Sequence, residues 1–576
     1  MAGKKIFLFL AVFLVLSLFA GLSLAQTNTL KVTSEHPFLV NNKWIPAKQL
    51  QVGDILKTID GKTARITGIK DIVSDEVFPV YNLEASPYND FVVEDGLIVH
   101  NSMHPYYFEY TTPQGISFVS LSGSVSDTVV EFSLSPAVMD KIKIIEAQRR
   151  TLLSAFKRAA CGVPAYKQVL KEHGLTASGI KSIEDFLSRV PVIDKTSTFS
   201  RFELSELCMD GNLEGIVFTL KSSGFSSVPA YGVMTAEDVA SVRYMADPLL
   251  DSFFGTSAKK TMVINALPTG VEIPTSLPVA SPHVKIGMVI AEIKANKQNY
   301  QQFVVFSSPY MAKESIEVGI ANGINWKEVN PSFMVGGEWS SNSFVNYLKS
   351  MTGGDVLNTM GSSELGLNLF HDSHELSRLR NLIQNDPRAM KLLFGDLKTC
   401  PEIMYWYPKR NFIEVMNPDG NGFGELVFTT LEDAKLPLIR YNSRDIGKIL
   451  SNNDFKQKLA SLGYDVNLEF DRPIMAVIGR NEKVIINGKL IMPQDVNEAI
   501  YRDFILARKI TGQFKLSSKG VEIQLKGDVI SDQEIRGRIE KALRDFFDSD
   551  VPIKVYEYNK FPYGVEKDYE TKFKFT

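Results

Sequence analysis

Apolar positions open the chain as one continuous run. Lys4 and Lys5 precede an uninterrupted apolar stretch from Ile6 to Leu16, and small residues stand at Ser23 and Ala25. A basic start, an apolar middle and small residues near position 25 predict a secretory signal peptide over residues 1–25. The run is also long enough to span a bilayer, so an uncleaved anchor stays open. Either form directs the rest of the chain to export.

Beyond this segment the pattern changes twice. Over residues 26–101 short β-branched and aromatic runs alternate with turn pairs such as Asp60-Gly61, which is typical of an all-β module. Residues 102–135 are rich in Ser, Thr and Gly and are predicted to be a connector. From residue 136 apolar positions recur at helical spacing, and strand-like runs end in glycine loops that lead into helices. This alternation predicts an α/β body.

Composition narrows the class of protein. The 576 residues carry 63 Lys and Arg against 66 Asp and Glu, a net charge of −3, so no basic excess supports nucleic-acid binding. No second long apolar run follows the first, so we expect no membrane contact beyond the N-terminal segment. Cys161, Cys208 and Cys400 are too few and too scattered for a disulfide framework or a cysteine zinc site. These exclusions leave a large mixed α/β enzyme or binding protein as the class of protein.

The all-β module carries residues suited to peptide-bond cleavage. It opens with Thr33 and His36 and closes with His100-Asn101-Ser102. The Asn101 carboxamide can attack its own carbonyl carbon, which forms a succinimide and breaks the bond to Ser102. The imidazole of His100 can protonate the departing amine as a general acid. His100 and Asn101 are therefore candidate catalytic residues for cleavage.

These residues resemble the C-terminal part of a Hint (hedgehog/intein) domain. The opening pair corresponds to the T-x-x-H block, residues 44–56 resemble the W-x-x-A-x-x-L-x-x-G-D segment, and the closing triplet matches the splice junction. No Cys or Ser nucleophile lies between the leader and the opening pair, and Asn89 stands where a histidine is expected. Full splicing is therefore not expected. Cleavage after Asn101 and a decayed remnant both stay open.

One loop of the α/β body is suited to phosphate binding. Residues 215–220 read as a buried strand and lead into Lys221-Ser222-Ser223-Gly224-Phe225-Ser226-Ser227-Val228-Pro229. Backbone N–H groups and hydroxyls in such a loop can surround phosphate oxygens, although an ordinary polar turn has the same composition. A helix is predicted to begin near Thr235, with Asp238 as its capping partner.

Further motifs follow this loop in order along the chain. A turn over residues 360–366 sets one carboxylate, Glu364, among glycines and hydroxyls. The others are the segments 424–431, 437–445, 478–488 and 564–567. Together with residues 163–167 and 190–195, this ordered set resembles the adenylate-forming superfamily. The resemblance is greatest to its phenylacetate–CoA ligase and coenzyme F390 synthetase-like branch.

The two resemblances together imply a multidomain chain. Its fold class would be an all-β partial Hint module, then an α/β adenylate-forming large domain with a small α+β C-terminal domain. The expected boundaries are a signal peptide or anchor over 1–25, the Hint module over 26–101, a connector over 102–135, the large domain over 136–478 and the small mobile domain over 479–576.

The second resemblance implies ATP-dependent activation of a small carboxylic acid as an acyl-adenylate, with release of pyrophosphate. The acyl group would then pass to a thiol, usually that of CoA, although a protein or an amine acceptor stays open. Glu364 would hold Mg²⁺, a hard cation that prefers oxygen ligands. A homodimer is left open.

The resemblance also implies roles for individual residues. The nucleotide would be bound by Ser222, Ser223, Gly224, Ser226, Ser227, Gly337, Glu338, Gly361, Ser362, Ser363, Asp445 and Arg480. Asp445 would accept hydrogen bonds from the ribose hydroxyls, and Glu482 or Lys483 would be the hinge of the small domain. Lys567 would stabilise the adenylation transition state, with Lys572 and Lys574 as alternatives.

The sequence departs from the family at two of these motifs. The phosphate loop lacks a glycine and a lysine that the family carries, and Phe225 replaces a hydroxyl residue. Lys221, just before the loop, is a candidate replacement for the missing cation. Arg444 stands where the family has glycine before the ribose-binding aspartate.

The two halves of the chain point to different compartments. ATP and CoA are cytosolic, whereas the N-terminal segment predicts export or membrane anchoring. The alternative function is therefore an exported self-cleaving Hint protein whose ligase-like part is a degenerate nucleotide binder.

Overall fold

The computed structural model describes residues 27–33, 37–40, 43–57, 63–72, 90–93, 97–100, 127–133, 152–222, 228–268, 270–470, 472–480 and 482–576. Contacts divide the chain into two compact units, residues 1–150 and 151–576. The predicted leader lies outside the described residues. Within those residues, no helix combines the length and the apolar character needed to cross a bilayer.

The described part of the first unit is an antiparallel β-sheet, as its alternating pattern predicts. Its strands are β1 (Thr27–Thr33), β2 (Pro37–Val40), β3 (Lys43–Pro46), β4 (Ile55–Lys57), β5 (Thr63–Ile72), β6 (Asp90–Val93), β7 (Leu97–His100) and β8 (Asp127–Ser133). They pair in the order β1-β8-β5-β4-β2-β7-β6, and β3 pairs with β2. Phe38, Val40, Leu56 and Ile66 are buried in its core. β8 falls in the predicted connector but pairs with β1 and β5, so this stretch belongs to the sheet.

The second unit contains the remaining strands. They are β9 (Ile216–Lys221), β10 (Tyr231–Thr235), β11 (Thr261–Ala266), β12 (Val279–Ala280), β13 (Gln302–Ser307), β14 (Ser332–Gly336), β15 (Val356–Ser362), β16 (Gly366–His371), β17 (Glu402–Trp406), β18 (Asn411–Met416), β19 (Gly424–Thr430), β20 (Tyr441–Leu450), β21 (Ile474–Arg480), β22 (Val484–Ile486), β23 (Lys489–Ile491), β24 (Ile510–Ser517), β25 (Gly520–Leu525) and β26 (Ile553–Tyr556).

Its α-helices pack around these strands. They are residues 152–162, Pro164–Glu172, Ile183–Arg189, Leu204–Leu207, Ala236–Phe254, Ile286–Asn296, Pro309–Ala321, Trp326–Val329, Asn342–Thr352, His374–Asn385, Pro387–Phe394, Asn452–Ser461, Pro493–Tyr501, Phe504–Ala507 and Gln533–Phe547.

An eleven-stranded mixed sheet organises the second unit, in the order β12-β11-β13-β14-β15-β16-β17-β21-β20-β19-β18. Its strands are parallel from β12 to β15 and antiparallel from β15 onward. Within the parallel half, β11 and β14 are buried along their whole length, which is why they are rich in apolar residues. β14 and β15 are parallel neighbours, so the loops after Gly336 and Ser362 leave the sheet at the same edge.

A separate hairpin, β9–β10, stands beside this sheet and flanks the phosphate loop. The expectation of a buried strand over residues 215–220 is wrong, because Val217 and Phe218 are exposed on this two-stranded ribbon. The helix predicted to begin near Thr235 is confirmed. The Thr235 hydroxyl accepts a hydrogen bond from the Asp238 N–H, and the Asp238 carboxylate accepts one from the Thr235 N–H.

The C-terminal part of this unit is a small α+β region. β24, β25 and β26 form a three-stranded sheet, and β22 and β23 form a hairpin. Helix Pro493–Tyr501 is buried along its whole length, between helices Asn342–Thr352 and Gln533–Phe547. Its apolar residues belong to the same core as the parallel strands of the large sheet, so this region is firmly docked on the large domain.

Candidate functional site

A cavity of about 370 Å³ opens at the edge where β14 and β15 end. Its walls include every described residue predicted to bind nucleotide, together with the predicted metal ligand and one predicted hinge residue. These are Ser222, Gly337, Glu338, Gly361, Ser362, Ser363, Glu364, Asp445, Arg480 and the hinge residue Glu482. They come from elements spread over about 260 residues of sequence. The loops that carry Glu338 and Glu364 meet because they follow the parallel neighbours β14 and β15. Ser222 reaches the cavity from the β9–β10 hairpin, and Asp445 and Arg480 reach it from the antiparallel pair β20 and β21.

Glu364 lies in the turn between β15 and β16 and is held in place by two neighbours. Its Oε1 accepts a hydrogen bond from the Tyr441 hydroxyl at 2.9 Å. The Nζ of Lys195 lies 3.8 Å from the same oxygen. The Glu364 side chain is only 6% exposed, so its carboxylate faces the cavity rather than bulk solvent.

The same turn lies against the phosphate-loop hairpin. Gly232 of β10 is buried where its backbone touches Ser363, and a β-carbon at position 232 would lie 1.7 Å from the Ser363 carbonyl oxygen. Only glycine permits this approach. The hairpin and the Glu364 turn are therefore built to sit side by side.

Ser222 is the described residue at the start of the phosphate loop. It pairs with Ala230 across the base of the loop, because the Ser222 N–H donates to the Ala230 carbonyl oxygen and the Ala230 N–H donates to the Ser222 hydroxyl, each at 2.9 Å. The predicted phosphate ligands Ser223, Gly224, Ser226 and Ser227 lie outside the described residues. Their roles stay predictions, with the base of the loop correctly placed for them.

Asp445 and Arg480 face each other across the pairing of β20 with β21. Burial raises the pKa of Asp445, while the nearby charges of Arg480 and Lys572 act in the opposite direction. A desolvated carboxylate beside two cations, at the rim of a cleft, is suited to accept hydrogen bonds from ribose hydroxyls.

Arg444, the residue that departs from the family pattern, has a left-handed backbone conformation with φ of 67°. Glycine adopts this conformation freely, whereas for another residue the conformation costs roughly 1 kcal/mol. Two ion pairs of its guanidinium offset this strain, one with Asp194 at 2.7 Å and one with Glu425 at 3.5 Å. The substitution therefore ties the segment around Asp194 to the ribose motif.

Two lysines near the C-terminus occupy different places. The Nζ of Lys567 is buried 3.6 Å from the centroid of the Tyr310 ring and 3.7 Å from Glu338 Oε2, at the edge of a separate void of about 30 Å³. Lys572 reaches the main cavity. Desolvation lowers the pKa of Lys572, and the charge of Asp445 is the main opposing influence.

One helix gives the cavity an apolar wall. Val242, Ala246, Leu249 and Leu250 line it from one face of helix Ala236–Phe254. Leu249 and Leu250 pack with Met334 of β14, and Val242 packs with Leu220 and with partly buried Val271 and Leu367. The cavity is therefore lined by both hydrocarbon and charged groups, as an amphiphilic ligand such as a carboxylic acid would need.

The donor set near Glu364 fits a magnesium ion brought in with a nucleotide. Mg²⁺ in nucleotide sites is usually held by one or two carboxylates together with substrate phosphates, so a single inward-facing carboxylate suffices. Among the described residues, no group of three or more His, Cys, Asp or Glu forms a metal cage. Glu364 would thus act with phosphate oxygens rather than within a preformed site.

The predicted hinge residues Glu482 and Lys483 stand between β21 and β22. Beyond them, helix Pro493–Tyr501 makes buried polar contacts with the large domain. Glu498 accepts hydrogen bonds from the Ser343 N–H at 2.9 Å and hydroxyl at 2.7 Å, and Asp495 accepts one from the Thr399 hydroxyl at 2.7 Å. Rotation about the hinge would have to exchange these contacts for others, and the hinge role stays a prediction.

Two contributors to the site were not identified as such from sequence. Lys195 lies in a segment noted only for its family likeness, and its contact with Ser222 spans 27 residues without any local signal. Tyr441 donates to Glu364 from 77 residues away in the sequence, and no local sequence pattern indicates this contact. Both contacts depend on the pairing of distant elements.

Comparison with solved structures shows that the chain shares its fold with a CoA ligase. Two crystal structures of 2-hydroxyisobutyryl-CoA ligase in the postadenylation state, in complex with R3-HIB-AMP and with 2-HIB-AMP, each align with a TM-score of 0.54 and 15% identity. The alignments cover 76% of this chain and 89% and 90% of those chains. The predicted fold class is confirmed, while the branch within it stays a prediction.

The N-terminal resemblance is also confirmed. Residues 13–102 match the family model described as the pretoxin HINT domain. The match ends on Ser102, directly after the predicted cleavage residues, and begins inside the predicted leader. Asn101, Ser102 and the side chain of His100 lie outside what the structure describes, so cleavage stays untested. Comparison with curated protein sequences gives no match.

Proposed function

We propose that the second unit activates a carboxylic acid with ATP and transfers the acyl group to a thiol, with CoA as the expected acceptor. The observation that carries this proposal is the convergence of Glu364, Asp445, Arg480 and Lys572 on one cavity beside the base of the phosphate loop. A carboxylate for the metal, a carboxylate for the ribose and two cations are the groups that a nucleotide requires.

In the first step a carboxylate oxygen bonds to the α-phosphorus, and the bond to the β-phosphate breaks as pyrophosphate leaves with the electron pair. Two anions must meet, so cations have to offset their repulsion. Magnesium, held by Glu364, would neutralise phosphate charge when bound. We assign the lysine of this step to Lys572, the alternative to Lys567, because Lys572 reaches the cavity while Lys567 is buried against Tyr310.

In the second step the acceptor thiolate attacks the acyl carbon and AMP departs. The small domain would have to move about residues 482–483 to open the adenylate to CoA. This movement would have to break the buried contacts of Glu498 and Asp495 with the large domain. Supplying CoA, an amine and a carrier protein in turn to the preformed adenylate shows which of them accepts the acyl group.

The finer proposal is a ligase of the phenylacetate–CoA ligase type. The apolar wall of helix Ala236–Phe254 supports an acyl group without charge, either an aryl or an alkyl acid. The sequence motifs at residues 163–167 and 190–195 favour the same branch.

The test is exchange of labelled pyrophosphate into ATP by the full chain, with aryl and alkyl acids supplied in turn. We expect exchange with at least one apolar acid and a loss of roughly 100-fold or more in Glu364→Gln and Asp445→Ala. Glu534→Gln, a change to an exposed carboxylate, is the matched control and should retain full exchange. Wild-type exchange in both site variants would refute the site assignment.

We propose scission after Asn101 as a second function, which the extent of the HINT match supports. Prolonged incubation of the full chain should release a fragment beginning at Ser102, and Asn101→Ala should abolish it. Intact mass is the readout, and an uncleaved wild-type chain would mark the module as a remnant. We also propose that residues 1–25 direct export or anchoring, which fractionation of cells producing the full chain tests.

A further inference from the structure

The phosphate loop lacks the lysine that its family places there, and a cation is still needed. Lys221, the nearest candidate in sequence, ends β9 with an exposed side chain and is not among the residues lining the main cavity. A triphosphate bound at this loop would carry about four negative charges with only part of them met by a metal ion. The structure offers another source of positive charge.

Lys195 reaches the base of the loop from a different part of the chain. Its Nζ lies 3.4 Å from the Ser222 hydroxyl oxygen and 3.8 Å from Glu364 Oε1, and it lines the main cavity. Its side chain is 20% exposed, so the ammonium stays within reach of a ligand in the cavity. It therefore stands between the phosphate loop and the carboxylate proposed to hold magnesium.

The segment that carries Lys195 is fixed from both sides. Ile193 forms a bridge with Tyr441 of β20, with hydrogen bonds to the Arg440 carbonyl at 3.0 Å and from the Asn442 N–H at 2.8 Å. The ion pair between Asp194 and Arg444 adds a second tie directly beside the lysine. A cation on a segment anchored in this way is pre-positioned rather than mobile.

We infer that Lys195 binds the β- and γ-phosphates of ATP and so replaces the cation missing from the loop; this inference rests on the proposed nucleotide-binding function. As the bond from the α-phosphorus to the bridging oxygen breaks, negative charge grows on the departing pyrophosphate. The ammonium of Lys195 donates hydrogen bonds to that group and stabilises the charge. AMP, which has no β- or γ-phosphate, does not use this contact.

The test compares the affinities of the full chain for MgATP and for AMP by calorimetry. We expect Lys195→Met to weaken MgATP binding by about 10- to 100-fold, the usual worth of a charge-assisted hydrogen bond, and AMP binding by less than about twofold. Lys195→Arg keeps the charge and should retain most of the MgATP affinity. Lys541→Met, at an exposed lysine that does not line the cavity, is the matched control and should leave both affinities unchanged. Lys221→Met tests the competing candidate and should also retain both affinities. Lys195→Gln replaces the methionine variant if that one does not fold, as judged by thermal melting.

The outcomes separate the two proposals. Equal affinity of the wild-type and Lys195→Met chains for MgATP would overturn the role of Lys195 alone, as would an equal loss of MgATP and AMP binding. A wild-type chain that binds neither nucleotide would overturn the proposed function and this inference with it. Loss of MgATP affinity in Lys221→Met but not in Lys195→Met would place the missing cation at residue 221.

Discussion

The backbone of Gly232 lies directly against the carbonyl oxygen of Ser363, so that a β-carbon at position 232 would come within 1.7 Å of that oxygen. This contact joins the hairpin that carries the phosphate loop to the turn that carries Glu364. A backbone oxygen cannot move aside as a flexible side chain can. The spacing of the two halves of the proposed site therefore depends on glycine at position 232.

We predict that Gly232→Ala separates the hairpin from the Glu364 turn. Overpacking of this kind costs about 1–3 kcal/mol in stability, and the misplaced loop should lower pyrophosphate exchange by roughly 100-fold. Exchange assays and thermal melts measure the two effects. Gly287→Ala is the control, since a β-carbon at that exposed helical position meets nothing within 4 Å. Unchanged exchange in Gly232→Ala would show that the contact does not set the site.

The sequence allowed the fold and much of the site to be predicted because its signals are local. The capping pair Thr235 and Asp238 and the turn that carries Glu364 can each be recognised within a few residues. Contacts between distant elements gave no such signal, which is why Lys195 and Tyr441 were missed. The burial of residues 215–220 was misjudged for a related reason, since an apolar run does not reveal that its strand leaves the main sheet.

Stability should depend on pH through Asp372, a buried carboxylate whose Oδ1 accepts a hydrogen bond from the Ser373 N–H at 2.8 Å. Desolvation raises the pKa of Asp372 from 3.8 to about 7. The folded state therefore binds this proton more tightly than the unfolded state. The contribution of this proton to the free energy of unfolding is fully present below the unfolded pKa of 3.8. It is lost as the pH rises through about 7.

Asp372→Asn should remove this dependence, because the amide stays neutral and can still accept from Ser373. The difference in free energy of unfolding between variant and wild type should grow in the variant's favour from pH 4 to pH 8, by roughly 4 kcal/mol at most. Denaturant titrations at several pH values give this difference. Asp396→Asn, at an exposed carboxylate, should run parallel to wild type. Parallel curves for Asp372→Asn as well would contradict the assignment.

The hydroxyl of Tyr441 should control how well Glu364 binds magnesium. Tyr441→Phe removes the 2.9 Å hydrogen bond to Glu364 Oε1, leaving the carboxylate free to turn toward Lys195. A lost hydrogen bond to a charged group costs about 1.5–3 kcal/mol, so the magnesium concentration for half-maximal exchange should rise by about tenfold or more. Tyr166→Phe is the control, because that buried hydroxyl has no hydrogen-bond partner among the described residues. An unchanged magnesium dependence in Tyr441→Phe would contradict this role.

The roles of Lys572 and Lys567 can be distinguished by the property that each variant changes. Lys572 reaches the cavity beside Asp445, so Lys572→Ala should lower pyrophosphate exchange by about 100-fold while thermal stability stays close to wild type. Lys567 is buried against Tyr310 and Glu338, so Lys567→Ala should lower the melting temperature by leaving the Glu338 carboxylate without its cation. Transfer from a preformed acyl-adenylate to CoA should survive in Lys572→Ala, because that half-reaction no longer involves pyrophosphate. If Lys567→Ala instead abolishes exchange without destabilising the fold, the adenylation lysine is Lys567, and the small domain must move for it to reach the nucleotide.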